Sequence, residues 1–166
     1  MKKIVFLIFT IVLIICFITN KKEALIPSNA IRIRIIANSD DINDQRQKQE
    51  IKNEVSDLLY GKLIDVNKSE DAKKIITSNI DNIKAIVNKY TNDYEISYGI
   101  NYFPKKEYKG ISYDEGEYES LVIKIGEAKG NNFWCVLFPP LCMIDENNIP
   151  TARYKLYVTE LLKHFN

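Results

Sequence analysis

Over residues 31–37 hydrophobic and polar positions alternate with a period of two: Ile31, Ile33 and Ile35 face one way, Arg32 and Arg34 the other. That is the pattern of a half-buried strand. The cluster Asn38, Ser39, Asp40 and Asp41 then supplies side chains that cap helices and stabilise turns, so a helix is expected to start just after it. Ile51, Val55, Leu58 and Leu59 recur at helical spacing, with Lys48 and Lys52 on the flanking faces and Gly61 placed to end the helix. A second helix opens at Ser69, with Glu70 and Asp71 in its first turn, and its stripe runs through Ala72, Ile75, Ile76, Ile80, Ile83, Ile86, Val87 and Tyr90.

From Tyr94 to Tyr102 the period returns to two, with Tyr94, Ile96, Tyr98, Ile100 and Tyr102 on one face, which predicts a strand with an aromatic side. A Lys- and Gly-containing connection and a short stretch at 111–113 lead to the turn Asp114, Glu115, Gly116. Leu121, Ile123 and Ile125 alternate with Val122 and Lys124, and after the turn at 129–132 comes the apolar run 133–138. The two runs read as a hairpin. Both parities of 133–138 are apolar, so that strand is expected to be central and covered on both faces, until Pro139 and Pro140 stop it. Tyr154, Val158, Leu161, Leu162 and Phe165 mark a C-terminal helix after Pro150. The fold class expected is α+β: a mainly antiparallel sheet of four or five strands, two long helices on one face, and a C-terminal helix.

The first residues follow a different pattern. Lys2 and Lys3 precede an apolar run from Ile4 to Ile18 broken only by Thr10, a basic region followed by a hydrophobic one, as in a secretory leader. As a helix the run covers roughly 23 Å against a hydrocarbon core of about 30 Å. Asn20, Lys21, Lys22 and Glu23 make a poor cleavage site, and Lys21 and Lys22 suit the headgroup layer, so a cleaved signal and a retained anchor both fit. A lipoprotein site at Cys16 does not fit, because bulky Ile15 stands where a small residue is needed. The organisation expected is a signal peptide or membrane anchor over 1–24, a linker over 25–30, and one extracytoplasmic domain over 31–166. Membrane contact is expected through the leader only.

At 166 residues and 46% hydrophobic, the chain is long enough for one domain with a substantial core. Lys and Arg number 23 against 22 Asp and Glu, so no global field draws it to nucleic acid. A cut after Ala24 removes four Lys and Glu23 and leaves 19 basic against 21 acidic residues. A mildly acidic domain is not expected to bind nucleic acid.

Candidate chemistry is sparse. Cys135, Cys142 and His164 are the material for a thiol hydrolase acting on cell wall or protein, the alternative reading of function. Against it, Cys135 sits between Trp134 and Val136 in the most apolar strand, and His164 lies beside the terminus. A single His and no CxxC provide no metal site, and Asp40, Asp41 and Asp44 lack the glycine and final Glu of a calcium loop. No cofactor is expected. Cys135 and Cys142 flank the Pro139–Pro140 bend and form a candidate disulfide in an oxidising compartment, provided their Cα atoms come to about 6 Å. Arg32 and Arg34 read either as the solvated outer face of a sheet or as a surface for a partner.

Two segments resemble a known family. Ile31-Arg32-Ile33-Arg34-Ile35-Ile36-Ala37-Asn38-Ser39-Asp40, with Asp44-Gln45 and Lys48, is similar to the opening of stage II sporulation protein R. Gly116-Glu117-Tyr118-Glu119-Ser120-Leu121, Ile125-Gly126-Glu127, and the run from Gly130-Asn131-Asn132 through Phe133-Trp134-Cys135 to Pro139-Pro140-Leu141-Cys142 look like its strongest block. The resemblance implies a signalling protein of endospore formation. Such a protein is exported from the forespore into the space between the two membranes, where it switches on a membrane-embedded aspartic protease. That protease processes the sigma-E precursor in the mother cell. A compact, near-neutral domain for which no catalytic residues are expected is compatible with a protein ligand, and its candidate contacts are Arg32, Arg34, Asn38, Ser39, Asp40 and Trp134, with the bend from Pro139 to Cys142 beside them.

Overall fold

The structure is a computed structural model that describes residues 29–108, 111–141 and 160. The leader, Cys142, the expected C-terminal helix and His164 lie outside the described residues. Strand β1 (Ile31–Ile36) is followed by helices α1 (Ile42–Leu63), α2 (Ser69–Ser78) and α3 (Ile80–Asn88). Strands β2 (Tyr94–Phe103), β3 (Lys106–Tyr108), β4 (Ile111–Tyr113), β5 (Gly116–Ile125) and β6 (Asn132–Phe138) complete the order.

Helix α1 begins where the capping chemistry places it: the Asp41 side chain accepts from the Asn43 N–H at 2.8 Å. It runs two residues past Gly61, because Leu63 continues the buried row of Ile51, Val55 and Leu59. The second expected helix is two helices. Asn79, with φ −102° and ψ 6°, separates α2 from α3, and its side-chain amide donates to the Ile75 carbonyl at 2.8 Å. Ser78 and Thr77 also bond carbonyls of the preceding turn, so three consecutive polar side chains compete with the backbone ladder where the helix breaks.

The main sheet has the order β2-β5-β1-β6, with a separate two-stranded sheet of β3 and β4. It is mixed: β1 runs parallel to β5, and antiparallel pairing joins β1 to β6 and β2 to β5. The expected hairpin of 121–126 with 133–138 does not form, because β1 lies between β5 and β6. The reason is in the connection. After Ile125 the chain passes over the end of β1, where the Lys129 and Gly130 N–H groups each donate at 3.0 Å to the carbonyls of Asn38 and Ala37. It therefore descends on the far side of β1.

Strand β6 is thus an edge strand in the sheet and not a central one. Its doubly apolar pattern has another origin. The register shifts between Ile31 and Arg32, so Ile31 pairs with Phe138 and Arg32 with Val136, and the bulge sends both Leu137 and Phe138 to the core.

All three helices pack on one face. Ile31, Ile33 and Ile35 of β1, Leu121, Ile123 and Ile125 of β5, and Leu137 and Phe138 of β6 meet Ile51, Val55, Leu59 and Leu63 of α1, Ala72 and Ile76 of α2, and Ile83 and Val87 of α3. Tyr94, Ile96 and Tyr98 of β2 pack against this core, but the same face runs beyond the helices at Ile100 and Tyr102, 65% and 58% exposed. No helix among the described residues is long and apolar enough to cross a membrane.

Candidate partner-binding surface

The loop from β1 into α1 is locked by its own side chains. Asp44, in the first turn of α1, accepts from Ser39 Oγ at 2.6 Å and from Asn38 Nδ2 at 2.8 Å. Those two bonds, Ser39 first, hold its carboxyl below the ordinary aspartate range. The same loop grips the β5–β6 connection. Asn38 Oδ1 accepts from the Glu127 N–H at 3.0 Å, and Asp40 Oδ1 from the Asn131 N–H at 2.5 Å. Lys48 reaches up from α1 to the Asn131 carbonyl at 2.9 Å and to Gln45 Oε1. It is buried on the core-facing side of α1, not on a flank, and burial lowers its pKa. A Cβ on Gly130 would collide with the Ser39 carbonyl, and one on Gly126, where φ is +54°, with the Asn38 side chain. Asn38 and Ser39 therefore spend their hydrogen bonds inside the fold, while Asp40 is exposed on its rim.

The two arginines of β1 share the face that none of the described helices covers, but not one environment. Arg32 is 1% exposed. Its guanidinium carbon lies 3.3 Å from the ring centroid of Tyr118, 5.2 Å from that of Phe103 and 5.6 Å from that of Trp134. Phe103 and Trp134 meet edge to face at 5.9 Å, and Tyr113, from the small β3–β4 sheet, closes on Trp134 at 5.2 Å. Such cation–π contacts in a desolvated setting are each worth up to about 2 kcal/mol. Burial lowers the Arg32 pKa, with Tyr118 and Tyr113 acting against it. Nε and Nη1 find no acceptor among the described residues. A solvated outer face thus does not describe Arg32, because the aromatic cluster covers this end of the sheet.

Arg34, farther along that face, is half-buried. Asn132, with its amide oxygen turned to the arginine, accepts from Nη2 at 2.9 Å and from Nε at 3.2 Å. Trp134 pairs with Arg34 across the strands and is half-buried. Cys135 points the other way, packed with Phe133 against the helix-side core, and carries no disulfide among the described residues. The fold therefore brings Arg32, Arg34 and Trp134 onto one face and sets Asn38, Ser39 and Asp40 at the end of β1. Sequence reasoning missed the roles of Phe103, Tyr113 and Tyr118, which come from three different strands and meet only in the folded chain.

The comparisons with known proteins fall on this same framework. The family model described as stage II sporulation protein R matches residues 27–148. The chain belongs to the stage II sporulation protein R family. Stage II sporulation protein R of Bacillus subtilis (strain 168) is 37% identical over 136 residues, covering 78% of this chain and 61% of that relative. No solved structure matches the chain. Membership gives it a role in sporulation. The two segments that carry the resemblance to stage II sporulation protein R are those that interlock here: 31–48 at one side, 116–141 at the other.

Proposed function

We propose that this chain is an exported sporulation signalling protein, a protein ligand that activates a membrane-embedded aspartic protease and so brings about processing of the sigma-E precursor in the mother cell. The observation that carries the reading is membership of the stage II sporulation protein R family across the whole β1 to β6 framework. The basic and apolar leader at 1–18 supports export. A domain with a tied loop network and a sheet face that none of the described helices covers supports a binding role, because a preorganised surface loses little entropy on association.

Activation is by differential binding: the ligand favours the protease arrangement that it contacts better. Arg34 and Trp134 form the contact surface, with Asp40 at its edge and Arg32, Asn38 and Ser39 holding it in shape. The test is made in sporulating cells that lack the gene and carry either the wild-type chain or Arg34→Ala. Wild type restores cleavage of the sigma-E precursor on an immunoblot, and Arg34→Ala, exported at the same level, restores it weakly. Unchanged precursor processing in cells without the gene overturns the reading.

A further inference from the structure

The sheet face that none of the described helices covers carries an imbalance of charge that the described residues do not neutralise. Arg32 and Arg34 project from the same side of β1, two residues and so roughly 7 Å apart along the strand. Neither forms an ion pair among the described residues: Arg34 has only the neutral amide of Asn132, and two Arg32 donors have no acceptor. Two acids near this face approach lysines. Glu95 pairs with Lys124 at 3.1 Å across the far end of the face, and Asp114, which acts on Arg32 only through space, approaches Lys105 at 4.0 Å. Lys106 adds a further cation at the rim, 5.0 Å above the Trp134 ring. Between these groups Ser120 and Val122 of β5 are buried, while on β2 Gly99 has open space where a side chain would stand and Ser97 and Asn101 beside it are half-exposed.

The geometry points to this face as the docking site for an acidic, extended segment of a partner protein, with one of its carboxylates seated on Arg34 and its chain lying against Trp134. The inference rests on the reading of the chain as a protein ligand and gives that partner its chemistry. A carboxylate replaces the single amide acceptor of Arg34 by a charge-assisted, bidentate one. Arg32, fixed under its aromatic cover with no ion pair among the described residues, keeps the floor positive. An aromatic ring flanked by cations suits a protein interface, where a rigid apolar contact sits beside ionic ones.

The test uses the purified full chain and two labelled synthetic peptides, one of alternating Glu and Ser, the other with Gln in place of each Glu, followed by fluorescence anisotropy at low salt. The wild-type chain is expected to prefer the Glu peptide, and Arg34→Gln to weaken that binding by roughly tenfold or more. Arg34→Lys, which keeps the charge, recovers part of it, and Lys106→Gln, at the exposed rim, produces a smaller loss. Equal binding of both peptides by wild type overturns the inference, as does a preference that survives Arg34→Gln. So does a chain that ignores the Glu peptide and binds vesicles of phosphatidylglycerol. Precursor processing in cells is a separate readout: its loss on gene deletion, with no peptide preference, leaves the signalling reading standing and removes this site.

Discussion

At the scale of single residues, the tightest constraint is where the β5–β6 connection crosses the end of β1. Gly130 lies against the Ser39 backbone, which cannot retreat, because the Ser39 carbonyl also accepts from Gln45 Nε2 at 2.8 Å. Gly130→Ala is therefore expected to cost about 1–3 kcal/mol, as overpacking does, read as a lower urea midpoint. Asp44 sets the acid limit of the same knot. Its folded pKa lies below the ordinary 3.8, so its contribution is fully present above 3.8 and lost as pH falls through the lower folded value. Melting temperatures taken at falling pH should decline in that window, and Asp44→Asn should remove that part of the slope. The sequence showed these residues as turn and cap chemistry. It did not show their partners, because Asp40 and Asn131 are 91 positions apart.

Among the elements, the strands were the most legible and their neighbours the least. The alternation at 31–37 and 94–102 placed β1 and β2 correctly, since it depends only on one buried and one open face. The 133–138 run misled because a local register shift and two-sided cover produce the same doubly apolar string as a central strand. Strand β2 presents an outer edge in the sheet order, with Ile100 and Tyr102 exposed near one end and a single charged residue, Glu95, along its length. Unguarded edges template pairing with other chains. Ile100→Lys should leave stability within about 0.5 kcal/mol of wild type in urea melts, because the side chain is already in water. It should also reduce self-association at high concentration, measured by light scattering. An unchanged association state would place any self-contact elsewhere.

For the whole molecule, signalling and thiol chemistry make opposite predictions at one residue. Cys135 packs on the core side of β6, facing away from Arg34 and Trp134. Cys135→Ala, exported and folded, is expected to support sigma-E precursor processing at the wild-type level in sporulating cells, whereas a thiol hydrolase loses activity with its fold intact. By itself the sequence determined the α+β class, the strand and helix stretches, the leader's apolar pattern and the family resemblance, because periodicity and short motifs are properties of contiguous residues. Only the tertiary structure decided that β1 lies between β5 and β6, that Arg32 is roofed by Phe103, Tyr113, Tyr118 and Trp134 while Arg34 stays half-open, and that Asn38 and Asp40 hold a loop some ninety residues away. Those outcomes depend on which distant groups meet: alternation assigns a side chain to a face, and packing decides what covers that face.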